Sequence, residues 1–113
     1  MNRVFVVQKQ MRFDRDVGDY VPKFDLSPAR EYGELHYLLS PSAAPFSPES
    51  ILAELHERLA DFGDSDYLLL VGNPCLIGFA TAIASDYNDG RINLLQWNGK
   101  ERRYLPVSAD LFS

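Results

Sequence analysis

The residues best placed to do chemistry stand at one turn, Val71-Gly72-Asn73-Pro74-Cys75. An apolar run followed by Gly-Asn-Pro and a helical pattern is where an open α/β sheet offers backbone N–H groups to an anion, and Gly72 lets a ligand approach the main chain. Gly72, Asn73 and Cys75 are therefore the candidate ligand-binding residues, for a nucleotide or another phosphoanion. The turn carries neither GxGxxG nor a following GK[ST], and Pro74 at the first helical position removes one donor. An ordinary capped helix start accounts for the same residues. Cys75 falls in the first turn of that helix, a position that reactive cysteines use, although its apolar neighbours favour a small core residue.

Other reactive side chains are scattered. His36 and His56 fall on different elements with no HExxH, CxxC or His–acid spacing around them, and with one cysteine in the chain no zinc site is expected. Asp14, Asp16 and Asp19 open like a calcium loop, but Gly18 takes a ligand position and no Glu closes the loop at its twelfth residue. No triad can be assembled. The expectation is a protein that is not an enzyme and needs neither metal nor cofactor.

Two groups of residues suit an interaction surface instead. Phe13, Tyr20 and Phe24 are interleaved with Arg12, Arg15 and Lys23, a composition that stacks on bases or fills a protein interface. The 8–34 segment balances its basic residues with Asp14, Asp16, Asp19, Asp25, Glu31 and Glu34, so it lacks the positive field that nucleic acid requires. Arg91, Lys100, Arg102 and Arg103 form a second, basic group opposed only by Glu101, while Glu49, Glu54, Glu57, Asp61, Asp64 and Asp66 face Arg58 alone. Nucleic-acid binding through the basic group is a third alternative; the net charge of −5 weighs against it. The preferred interaction residues are Phe13, Tyr20, Phe24, Arg91, Arg102 and Arg103, with a protein as partner.

These residues must be positioned by a small α/β fold. Val4 to Val7 is a β-branched and aromatic run expected as a buried strand. Residues 8–34 show no period of 2 or 3.6 and are expected as a long irregular loop, with an irregular helix around Ser27 to Tyr32. Gly33 to Ser40 is a second strand, and 41–48 a linker loop. Ser47-Pro48-Glu49 starts a helix by N-cap, N1 proline and an acid at the positive end of the dipole. Ile51, Leu52, Leu55, Leu59 and Phe62 give that helix one buried stripe, which Gly63 ends. Asp66 to Val71 is an apolar strand of the doubly covered kind. The helix from Pro74 to about Tyr87 is apolar nearly all round, so it is covered either by the long loop or by a second copy of the chain. Asn98-Gly99 is expected as a type I′ turn joining Arg91–Trp97 to Glu101–Val107. The architecture is thus a mixed sheet of four to five strands with two main helices, one βαβ crossover and a C-terminal β-hairpin.

At 113 residues, with 46% hydrophobic and 24% charged, the chain is sized for one globular domain. No apolar run reaches bilayer length, the first residues do not read as a signal peptide, and a lone cysteine asks for no oxidising compartment; a cytoplasmic protein is expected.

The segments YGELHYL at 32–38, SDYLLLVG at 65–72 and GRINLLQWNGK at 90–100 resemble a set of small accessory proteins encoded by tailed bacteriophages and prophages. The likeness spans Val4 to Val107, although the first loop is longer than that pattern leads one to expect. It implies context rather than chemistry: an accessory protein of the infected cell that binds and redirects a host or phage protein.

Overall fold

Val4, Phe5, Val6 and Val7 have no exposed face, so β1 (Arg3–Gln8) must lie inside a sheet. The computed structural model, which describes residues 2–113, places it there. The other strands are β2 (Met11–Asp14), β3 (Asp19–Pro22), β4 (Glu34–Leu39), β5 (Tyr67–Leu69), β6 (Arg91–Asn98) and β7 (Arg103–Asp110); the helices are α1 (Pro48–Leu59) and α2 (Pro74–Tyr87). The main sheet has the order β4-β1-β5-β6-β7. Its first four strands are parallel, and β7 returns antiparallel along the whole of β6. The chain is α/β with a mixed five-stranded sheet, as its pattern implies. Two helical connections join parallel strands, where the sequence pattern leads one to expect a single βαβ crossover: α1 carries the chain from β4 over β1 to β5, and α2 from β5 to β6.

Alternation along β1 sends Phe5 and Val7 to one face and Val4 and Val6 to the other. The first face packs on both helices, with Leu55 and Leu59 of α1 and Leu76 and Ala80 of α2 wholly buried. Each such side chain contributes about 1.5–3 kcal/mol of apolar burial. The second face packs Val4, Val6, Leu69, Leu95 and Tyr104 on Leu26 and Ala29, beside a 3-10 helix at Ser27–Glu31. Among the described residues no α-helix covers that side, because β1 reaches β4 through residues 9–33 instead of through an α-helix.

Several local expectations need correction. Residues 8–34, expected as an irregular loop, hold the antiparallel hairpin β2–β3 as well as the anticipated helix near Ser27. The strands are four residues long and mostly exposed on both faces, so burial imposed no alternation on their sequence. Asn98-Gly99 is not a two-residue turn: the link runs from 99 to 102, with Arg102 at φ 55° taking the left-handed position. The Asn98 carboxamide selects this shape by accepting from the N–H groups of both Lys100 and Glu101 at 3.0 Å. Ser47 precedes α1 as expected, yet its hydroxyl makes no capping bond. The long first loop does not cover α2, since it lies on the opposite face of the sheet. Instead α2 turns Cys75, Gly78 and Ala82 outward, and Cys75 is exposed rather than part of the core.

Candidate functional site

Where β1 and β5 part at their carboxyl ends, this strand order reverses direction, and an open α/β sheet places its ligand crevice there. Here the crevice is filled by Gln8. Its carboxamide oxygen accepts the Asn73 N–H at 2.9 Å, and its nitrogen donates to the carbonyls of Ala43 at 2.9 Å and Ser40 at 3.1 Å. Gly72, at φ 132°, runs so close that a Cβ would stand 2.6 Å from Gln8 Cβ. Asn73 caps α2 by accepting from the Cys75 N–H at 2.9 Å. The donors of Asn73 and Cys75 are thus already bonded within the chain, and the glycine serves the approach of Gln8.

Just outside this turn a groove of about 850 Å³ opens between the 24–28 segment, the end of β5 and the β6–β7 ribbon. Leu69, Leu95 and Tyr104 bring the second core cluster to its surface. Its walls include Phe24, Leu70, Trp97 and Val107, which are between 38% and 49% exposed. Gln10, Asp25 and Gln96 supply the polar groups. Trp97 stands edge-on to Tyr104 with ring centroids 5.0 Å apart, which holds the indole in place. Burial pushes the Tyr104 hydroxyl above the usual phenol range, and its backbone carbonyl accepts from the Tyr32 hydroxyl at 2.5 Å.

The β2–β3 hairpin leaves the sheet beside this groove, at the end of β1. Phe13 and Tyr20 face each other across it, centroids 5.4 Å apart, and both are more than half exposed. Its tip is ordered by Asp14, whose side chain accepts from the Asp16 N–H at 2.9 Å and whose carbonyl accepts from Gly18 at 2.8 Å. Asp14 thereby serves the turn, and among the described residues no group of three or more His, Cys, Asp or Glu is placed to hold a metal ion.

The basic residues do not gather into one patch. Arg91 and Arg103 stand at opposite ends of the β6–β7 ribbon, about 24 Å apart for strands of this length. Arg91 hydrogen-bonds Asp64 at 2.9 Å, which raises the guanidinium pKa and holds the Asp64 carboxyl below its ordinary range. Arg103 is paired with Glu31. Arg102 and Lys100 project from the 99–102 turn. Of the anticipated interaction residues, then, Phe24 lines the groove, while Phe13 and Tyr20 pair with each other on the hairpin and, like Arg91, stand outside its lining. His36 lies beside Phe5 on β4, and His56 bonds the Tyr87 hydroxyl at 2.9 Å where α1 meets α2, so the histidines do not converge.

Gln8 and Trp97 were not among the expected site residues. Gln8 had a signal: a polar residue directly after the apolar run Val4 to Val7. Trp97 offered only its type.

Among the described residues, no helix is long and apolar enough to cross a membrane. No curated protein and no solved structure matches this chain. A family model described as "Phage Pam3 gp32-like protein" matches residues 2–111, nearly the whole chain, and it agrees with the phage resemblance carried by the 32–38, 65–72 and 90–100 segments. The chain belongs to the phage Pam3 gp32-like protein family.

Proposed function

We propose that this phage-family protein acts in the host cytoplasm by binding another protein, of host or phage origin, as a homodimer and without catalysis of its own. The observation that supports this most directly is the groove: Phe24, Leu70, Trp97 and Val107 stand together, partly exposed, around one concavity with few polar groups. Contiguous apolar surface rimmed by polar residues is the mark of an interaction site, and rigid aromatics such as Trp97 are the side chains that carry binding energy. The test is capture from phage-infected lysate with tagged wild type and a tagged Trp97→Asp variant in parallel. A stoichiometric protein retained by wild type and lost by the variant supports the reading; identical recoveries sink it.

The phosphoanion alternative has narrower support. Gly72 lines the groove, but the Asn73 and Cys75 donors are engaged within the chain. A thermal-shift screen against phosphorylated ligands tests it. Gly72→Val is an unsuitable control there, since its side chain would collide with Gln8 whether or not a ligand binds.

A further inference from the structure

Two loops of opposite charge project from the same edge of the sheet. The β2–β3 hairpin follows the carboxyl end of β1, and the 99–102 turn follows the carboxyl end of β6, which runs parallel to β1 through β5. The hairpin tip presents Asp16 and Asp19 beside Arg15, a net negative charge; the turn presents Lys100 and Arg102 on either side of Glu101, a net positive one. Among the described residues none of Asp16, Asp19, Lys100 and Arg102 lies in an ion pair. The groove lies between them: Gln10 and Phe24, on either side of the hairpin, line one part of it, and Trp97 and Tyr104, on either side of the turn, line another.

An acidic aromatic loop, an apolar groove and a basic loop on one surface make that surface complementary to itself. A two-fold interface requires this, because residue i of one copy meets residue j of the other and the reverse holds at once. We infer that the groove is occupied by a second copy of this chain, each protomer laying its β2–β3 hairpin across the partner's groove so that Asp16 and Asp19 meet Lys100 and Arg102. This rests on the reading of the groove as a protein-binding surface and names its occupant in the free protein, a copy that a host or phage protein using the same groove must displace. The hairpin suits the task because Asp14 orders its tip in advance, so little freedom is lost on docking. A stable interface buries about 800 Å² on each partner, and reciprocal seating counts both hairpin–groove contacts toward that area.

The experiment is sedimentation velocity on the full chain across a concentration series, at low and high salt. Wild type should sediment at twice the 12.8 kDa chain mass and weaken as salt rises. Reversing the hairpin charges (Asp16→Lys with Asp19→Lys) should weaken the dimer at least about tenfold, and so should Lys100→Glu with Arg102→Glu. Combining all four substitutions restores opposite charges across the interface and should recover the dimer, a rescue that mere damage to folding does not give. These side chains are exposed, and unchanged circular dichroism establishes that each variant is folded. A monomer at every concentration overturns the inference, and so does a dimer indifferent to both reversals. A monomer that still captures a protein in a Trp97-dependent way removes the second copy and leaves the protein-binding reading standing. A monomer that captures nothing removes both.

Discussion

Gln8 accepts the Asn73 N–H at 2.9 Å while its own amide donates to Ala43 O at 2.9 Å, so one buried carboxamide joins three segments. β1 ends at Gln8, the 40–43 loop leaves β4, and α2 begins at Asn73. A ligand crevice is common at this point of a parallel sheet. Here the protein fills it with its own side chain, and what remains open lies further along the β6–β7 ribbon.

Gln8→Leu keeps approximate size and removes every one of these bonds. The Asn73 N–H and the carbonyls of Ser40 and Ala43 then lose their partner where water reaches poorly, since Gln8 is 4% exposed. At about 1–3 kcal/mol for each buried group left unsatisfied, the expected loss is about 3 kcal/mol. Urea denaturation measures it. A loss below about 1 kcal/mol would mean that the three segments hold their positions without the carboxamide.

The Asp64–Arg91 contact predicts a pH dependence. Asp64 is held below the ordinary carboxylate range first by the hydrogen bond from Arg91 and then by that from Asn88. A depressed folded-state pKa contributes stability above the unfolded value, about 3.9, and loses it as pH falls through the folded value. Wild type should therefore melt above Asp64→Asn at neutral pH, with the gap closing below about pH 4. Arg91 stays charged throughout. A gap of constant size across that range would show that the ionised carboxylate is not its source.

The elements fixed by burial were legible in the chain, and so was the β6–β7 hairpin; the exposed β2–β3 pairing and the order of the parallel strands were not. Ile51, Leu55 and Leu59 recur at helical spacing because α1 has one buried face, and Asn73-Pro74 marks the start of α2 by capping chemistry. By contrast β2 and β3 are exposed on both sides, so Phe13 and Tyr20 alternate with charges in no readable period. The groove depends on strand order: Leu69 and Leu95 become neighbours only because β5 pairs with β6, and Tyr104 joins them only because β7 folds back on β6. Local pattern does not encode that register.

Ile83→Asp should unfold the protein. Ile83 is 8% exposed in the cluster between the helices and the sheet, and a carboxylate there has no partner, a loss above about 3 kcal/mol. The neighbouring Ala82 is exposed, so Ala82→Asp should cost less than about 1 kcal/mol. Circular dichroism melts of the pair check how α2 is seated. Similar melts for both would mean that Ile83 does not face the core.

Trp97 is the single tryptophan, and it stands 46% exposed in the groove, so its fluorescence reports whether the groove is occupied. Docking of any apolar partner, whether a second copy or another protein, excludes water from the indole. Emission should shift to the blue and become protected from acrylamide quenching as the protein is concentrated or the partner added. Trp97→Ala removes a half-buried side chain, so folding stability should fall by less than about 2 kcal/mol. Binding should lose more in relative terms: about 2 kcal/mol, roughly thirtyfold in affinity, is typical when an aromatic anchor at the centre of an interface is truncated. Binding that leaves the emission unchanged, with equal affinity in Trp97→Ala, would place the partner on another surface, of which the outward face of α2 around Gly78 and Ala82 would be the next to test.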